Sequence, residues 1–435
     1  MADPAQPGAA LYTSDDALAV RSALGALGRR AVQASRSLAI ASTGQKDEAL
    51  IQAAELLCDR AGEILEANAE DVARSEAAGA TQTAVDRLRL TDARVAAMAR
   101  GLRTVAALAD PVGEIVDGHV RPNGLVVERV RVPLGVVGVI YENRPNVTAD
   151  AASLCLKAGN AALLRGSGSA LAANRLIAAA MREGAVKAGL PADAVILVED
   201  TRHETAEEFV QLRGVIDCLI PRGGAGLISM ILDKATVPYV LDGDGNCHVY
   251  VDLAADLAMA ERIVVNAKVQ RPSVCNAAES LVVHAAVAGE FLPRIARRLM
   301  DAGVELVGDE AARELVPAIG PAGDDDFGRE YLDLKMSVAV AQDLDAAIAH
   351  IARYGSGHSE AIVTSDIGAA RRFVREVDAA AVLVNASTRF VDGGELGLGA
   401  EVGISTQKLH ARGPMGLREL TTVKYAIYGE GQVRT

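Results

Sequence analysis

From Ser14 to about Leu108 apolar residues recur at spacings of three and four, as at Leu18, Val20, Leu24 and Leu27. That period predicts helices, the first capped by Ser14-Asp15-Asp16 and others over 47–68 and 91–108. Around Pro122-Asn123-Gly124 the pattern changes to a partial alternation of apolar and charged residues. It predicts a hairpin over 118–132, either a surface ribbon or a strand pair for another subunit. After Pro133 short apolar runs (135–140, 161–164, 194–198, 215–220) alternate with helical stretches (150–157, 170–188, 204–212, 227–232). The second half repeats the alternation, with strands at 249–251, 281–284, 336–340, 361–364 and 380–384. Its helices fall at 255–267, 287–302, 343–352 and 367–377, and a last strand covers 421–428. Continuous apolar strands between helices mean parallel sheets covered on both faces. The fold class is therefore α/β, with two parallel-sheet domains divided near Asp242 to Cys247. In such sheets ligands bind at the carboxyl ends of the strands.

Composition narrows the partners. The chain has 435 residues, 50% of them hydrophobic and 3% aromatic, so its cores are built from Ala, Val, Leu and Ile. A net charge of −13 argues against nucleic acid, while a local cationic pocket can still hold a small anion. No apolar run is long enough to span a bilayer. The Pro/Ala/Gly-rich start lacks the pattern of a signal peptide, and residues 1–13 are expected to be disordered. Five scattered cysteines without CxxC spacing point to free thiols in a reducing compartment, hence a cytoplasmic protein.

Cys275 stands apart from the other four. It lies in the polar, cationic stretch Lys268-Val269-Gln270-Arg271-Pro272-Ser273-Val274-Cys275-Asn276, and nearby positive charge favours a reactive thiolate. The alternative is a buried structural cysteine, which suits Cys155 and Cys218; Cys58 looks like a helix-face residue. Cys247, in Gly243-Asp244-Gly245-Asn246-Cys247-His248, is the second candidate. Two strand-to-helix turns, Arg165-Gly166-Ser167-Gly168 and Arg222-Gly223-Gly224, place small residues and an arginine where backbone N–H groups can face an anion. Each is equally a plain tight turn, and neither completes a Walker or GxGxxG pattern. Asn143 is either a turn former or an amide donor to an oxyanion. The histidines have no metal-ligand spacing, and Asp324-Asp325-Asp326 reads as a solvated loop.

Taken together these stretches resemble the aldehyde dehydrogenase superfamily, and within it the branch that reduces γ-glutamyl phosphate. Val132 to Pro145 resembles the strand and oxyanion-Asn turn, and Lys268 to Asn276 the nucleophile loop. Asn385 to Phe390 and Gly397 to Pro414 resemble the C-terminal signatures. The resemblance implies a cofactor domain over 14–242, interrupted by an oligomerisation hairpin at 118–132, and a catalytic domain over 243–405. It further implies a return to the cofactor domain at 406–420 and an oligomerisation strand at 421–435, in a homodimer or homotetramer. NADPH is the implied hydride donor, bound by Arg165, Gly166, Ser167, Gly168, Arg222, Gly223, Gly224 and Glu330. Relatives preferring NAD often carry a glutamate where Gly168 stands, so NADP is expected. Cys275 would form a thioester and Asn143 would hold the oxyanion. Arg144, Arg271, Ser387, Thr388, Arg389 and His410 are the substrate-binding candidates, with Lys268 and Arg412 further cations that cannot be ranked. Aldehyde-oxidising relatives place a glutamate base in a Glu-Leu-Gly-Gly motif, and here the comparable Val240-Leu241-Asp242-Gly243 has none. The implied role is the second step of proline biosynthesis, with glutamate 5-kinase as a partner. Another acylating dehydrogenase, using coenzyme A or a different acyl phosphate, is the rival reading.

Overall fold

The computed structural model describes residues 14–434; the disorder expected for 1–13 lies outside that range. The chain forms two compact units. One comprises the described residues up to Val240 and resumes at Leu420, and the other is Leu241–Glu419. Both are α/β, built on Rossmann-like parallel sheets, and the first carries a small antiparallel element.

The first unit begins with helices Ser14–Leu38, Thr43–Asp59, Ala61–Ala77, Gln82–Leu88 and Asp92–Ala107. Ser42 and Gln45 close a capping box on the second, and Thr91 caps the last, each satisfying N–H groups that a helix start leaves open. The single helix expected over 47–68 is two, divided at Arg60, where Gly62 weakens helix propensity. Four parallel strands follow, in the spatial order Val195–Leu197, Ala161–Gly166, Val136–Tyr141, Cys218–Arg222. Every residue of Val136–Tyr141 is buried, as its unbroken apolar run requires. This strand comes first in the chain yet pairs with both Ala161–Gly166 and Cys218–Arg222. The strand order reverses at that point, where open α/β sheets bind ligands.

The hairpin is longer than its alternation showed. Ile115–Val120 pairs antiparallel with Val126–Pro133, and Thr421–Tyr428 adds on the far side in register from Thr421↔Pro133 to Tyr428↔Val126.

In the second unit seven parallel strands run in the order Gly320–Pro321, Glu305–Gly308, Lys335–Ala341, Ala278–His284, Cys247–Val251, Ser359–Val363, Ala381–Val384. Val249, Leu281, Phe291 and Ile295 pack one face, and Tyr250, Ile362 and Phe373 the other. Two of these strands, Glu305–Gly308 and Gly320–Pro321, are too short for the hydrophobic pattern to reveal. Asp324-Asp325-Asp326 is not loop but the start of a short helix, Asp324–Phe327. Asp324 bonds Arg353 and Tyr354 there, and Asp326 accepts from the Gly323 N–H. The segment expected to return to the cofactor domain at 406–420 stays in this unit as far as Glu419. Hydrogen bonds hold it: Ile404–Ser405 pairs with Gly413–Pro414, the Leu241 N–H donates to the Gln407 side-chain oxygen, and Ile404 donates to the Asp242 carboxylate and accepts from the Gly243 N–H.

Candidate active site

The loop that carries Cys275 joins helix Leu257–Val269 to strand Ala278–His284. Asp256 caps the helix by accepting the Ala258 and Met259 N–H groups at 2.9 and 3.0 Å. Across the base of the loop the Lys268 ammonium meets Glu279 at 2.6 Å, both side chains fully buried. Burial lowers the Lys268 pKa and pushes Glu279 up to about 7, so each group needs the other to stay charged. Lys268, a substrate cation in the sequence reading, is therefore committed to the loop. The second Glu279 oxygen accepts the N–H of Leu332, held at φ 55°. Within the loop the Ala277 N–H closes on the Val274 carbonyl, and the Asn276 amide donates to Val391 at 2.8 Å.

Two neighbours fix the cysteine backbone. The Cys247 thiol donates to the Cys275 carbonyl at 3.1 Å. Gly245 lies so close that a β-carbon there would come within 1.7 Å of the same oxygen. The Gly245 N–H in turn donates to Glu330 at 2.8 Å. Burial, with Asp244 and Asp242 adding to it, raises the Glu330 carboxyl. Cys275 is half-buried, while Cys155, Cys218 and Cys247 are buried and Cys58 is exposed. Burial pushes the Cys218 thiol up to about 12 and raises Cys155 and Cys247 well above the usual thiol range. None of these three has the thiolate character a nucleophile needs.

Arg389 leans over this loop. Its Nε donates to Gln270 at 2.9 Å, and a cavity of about 210 Å³ is lined by Asn266, Gln270, Arg389, Phe390, Asp392 and Glu395. Partial burial lowers its pKa, with Asp392 acting against that and Arg271 adding to it. Ser387 and Thr388 are buried. The Ser387 hydroxyl accepts the Arg389 N–H, and Thr388 Oγ1 finds no partner. Arg271 is exposed on the nucleophile loop, and His410 is exposed as well. Arg412 pairs with Asp378 at 2.8 Å.

In the first unit, Asn143 follows strand Val136–Tyr141 at φ 47°, a left-handed conformation that Asn tolerates. Its N–H donates to Ser167 Oγ, and its side-chain oxygen accepts from Ser169 Oγ. Arg144 beside it is half-buried. Arg165, 8% exposed, gives one guanidinium nitrogen to the carbonyls of Thr201 and Arg202 at 2.7 and 3.0 Å. Its buried Nε has no partner. Gly166 is required by close packing, since a β-carbon would fall 2.3 Å from Asn174. At the other turn the Gly224 N–H donates to Glu142 at 3.0 Å, Gly223 has no room for a β-carbon beside Leu227 and Glu142, and the Arg222 carbonyl accepts the Glu142 N–H.

The aldehyde dehydrogenase family model matches residues 16–322. The chain belongs to that family. The gamma-glutamyl phosphate reductase of Carboxydothermus hydrogenoformans is 54% identical over 94% of this chain and 98% of its own length. That of Syntrophomonas wolfei is 55% identical over 94% and 97%. The crystal structure of the Thermotoga maritima gamma-glutamyl phosphate reductase superposes with a TM-score of 0.93 at 49% identity, covering 95% of this chain and all of that one.

As a family member the chain is an oxidoreductase of the kind that uses a nicotinamide cofactor. The residues present fit such a group. Arg165, at the end of strand Ala161–Gly166, keeps an unpartnered buried Nε. Sequence reasoning missed Ser169, Gln270, Glu279 and Gly245. Gly245 carried a visible signal as a glycine in a polar turn, but only the fold brings it against Cys275.

Proposed function

We propose that the chain reduces γ-glutamyl phosphate to glutamate 5-semialdehyde with release of phosphate, as the second step of proline biosynthesis. Full-length relatives of that activity at 54 and 55% identity support the substrate. The observation that carries the chemistry is Cys275. It is the half-buried cysteine among five, on a loop tied down at both ends and through its backbone.

The Cys275 thiolate attacks the acyl-phosphate carbon, and the oxyanion is held by the Asn143 amide and the Cys275 N–H. The C–O bond to phosphate breaks and leaves a thioester on Cys275. Bound NADPH supplies the hydride that takes the thioester to the aldehyde level. The C–S bond then breaks, which frees the thiolate and the product. Water must be kept inactive throughout. Asp242, the acid nearest the place of the missing glutamate, spends an oxygen on the Ile404 N–H at 2.8 Å. Arg165 to Gly168, Arg222 to Gly224 and Glu330 are assigned to NADP(H). Arg144, Arg271, Ser387, Thr388, Arg389 and His410 are assigned to the substrate anion, with Arg389 best placed at its cavity.

The assay runs in reverse: NADP reduction with glutamate 5-semialdehyde should require inorganic phosphate. Turnover supported by coenzyme A in place of phosphate would instead favour the rival acylating dehydrogenase. Cys275→Ser should lose on the order of 10³-fold or more in kcat, and near-wild-type turnover would sink the thioester route. No helix among the described residues is long and apolar enough to cross a membrane. The proposed setting is the cytoplasm, where glutamate 5-kinase would supply the labile acyl phosphate.

A further inference from the structure

An oxyanion can be held by the nitrogen end of an Asn side chain and is repelled by the oxygen end. The two ends have nearly the same shape, so something must decide which one is presented. Around Asn143 three hydrogen bonds close a ring. The Asn143 N–H donates to Ser167 Oγ at 3.2 Å, the hydroxyls of Ser167 and Ser169 lie 2.7 Å apart, and Ser169 Oγ is 2.5 Å from Asn143 Oδ1.

Counting protons fixes the direction of this ring. A backbone N–H can only donate, so Ser167 Oγ accepts there. The one hydrogen of Ser167 then passes to Ser169, and the one hydrogen of Ser169 to the Asn143 carbonyl oxygen. The longer approach of Ser167 Oγ to the same oxygen, 3.5 Å, points the same way. With the amide turned round, Ser167 would accept from both the Asn143 N–H and Ser169, and its own hydrogen would face an NH₂ group at 3.5 Å in place of an acceptor. Bonds running head to tail around a ring polarise one another in the same sense.

The ring also holds the backbone. Asn143 stands at φ 47°, and its N–H bond to Ser167 keeps it there. The serines are placed by the fold, because Ser167 opens the tight turn Gly168–Ala170 at the end of the neighbouring parallel strand Ala161–Gly166.

We propose that Ser167 and Ser169 are positioning residues that lock the Asn143 amide with its oxygen turned into the protein and its NH₂ left to bind the oxyanion. The assignment rests on the oxyanion role given to Asn143 above. It also gives the Ser-Gly-Ser turn a task other than cofactor binding. Ser169 carries the lock, because its hydroxyl alone makes the short bond to Oδ1. Its effect falls on the transition state, where the oxyanion exists, and little on substrate binding.

The test is a double-mutant cycle in kcat, KM and melting temperature, on Ser169→Ala, Asn143→Ala and both together, with Ser169→Thr as the rescue. Loss of a whole oxyanion donor costs about 10²- to 10³-fold in kcat. A misoriented donor should cost about 10- to 100-fold on the same scale. Ser169→Ala should lower kcat by that amount with KM changed less than about twofold. Ser169→Thr, which keeps the hydroxyl, should recover most of the rate. In the Asn143→Ala background Ser169→Ala should cost nothing further. Full additivity in the cycle, or an Ser169→Ala enzyme with wild-type kcat, would overturn the lock.

A substrate-free measurement separates failure of the lock from failure of the functional reading. The Asn143 side-chain NH₂ resonance, assigned by its loss in Asn143→Ala, should shift and broaden in Ser169→Ala. If it does so while Asn143→Ala keeps wild-type turnover, the lock exists and the oxyanion role is wrong. If the resonance is unmoved by Ser169→Ala, the lock itself is wrong.

Discussion

Gly245 shows how one residue can bear on a site from outside its motif. It has no side chain because the Cys275 carbonyl occupies the place a β-carbon would take, and its N–H is held by Glu330. Gly245→Ala must push the nucleophile backbone aside, and such overpacking costs about 1–3 kcal/mol. The expected outcome is a folded enzyme with a lower melting temperature and at least about a tenfold loss of kcat, since near-attack geometry tolerates little displacement. Unchanged kinetics in Gly245→Ala would mean that the loop moves freely. Lys268 makes the complementary point. Its charge suited a substrate anion in the sequence, but complete burial against Glu279 turns it into an anchor for the loop.

At the scale of elements, the strands buried on both faces were legible because nothing polar interrupts them, as in Val136–Tyr141. Glu305–Gly308 was not, because four residues carry too little pattern and its place is set by pairing with Lys335–Ala341. The antiparallel ribbon was visible as a hairpin, and its third strand was placed only by the register of Thr421–Tyr428 on Val126–Pro133. Tyr425, Ile427 and Tyr428 remain 59–65% exposed on that strand, more apolar surface than a ribbon in water tends to keep. We propose that it joins subunits of a homodimer or homotetramer. Ile427→Asp should then shift the molecular mass in light scattering toward the monomer, and a wild-type monomer would refute the assembly.

At the scale of the whole molecule, stability should depend on pH through buried groups in both units. Burial lowers His350 and His358 from 6.5 to about 4. Each binds fewer protons folded than unfolded in that interval, so falling pH favours the unfolded chain. Asp150 and Glu279, raised by burial to about 6 and about 7, act in the opposite sense, so the total slope mixes the two. Comparison isolates the histidine: the urea midpoint of His358→Gln should fall less between pH 6.5 and pH 4 than that of the wild type. Equal falls would remove His358 from the account. The sequence by itself determined the α/β class, the two alternating halves, the family and the candidacy of Cys275 and Asn143, because these reside in periodicity and local motif. It did not determine which charges and hydroxyls are spent internally. Lys268 on Glu279, Arg165 on the Thr201 and Arg202 carbonyls, Glu142 on Gly224 and Ser169 on Asn143 are choices that tertiary structure made. Each joins residues that the local sequence pattern does not pair, and whether a polar group serves a ligand or the fold depends on what burial leaves beside it.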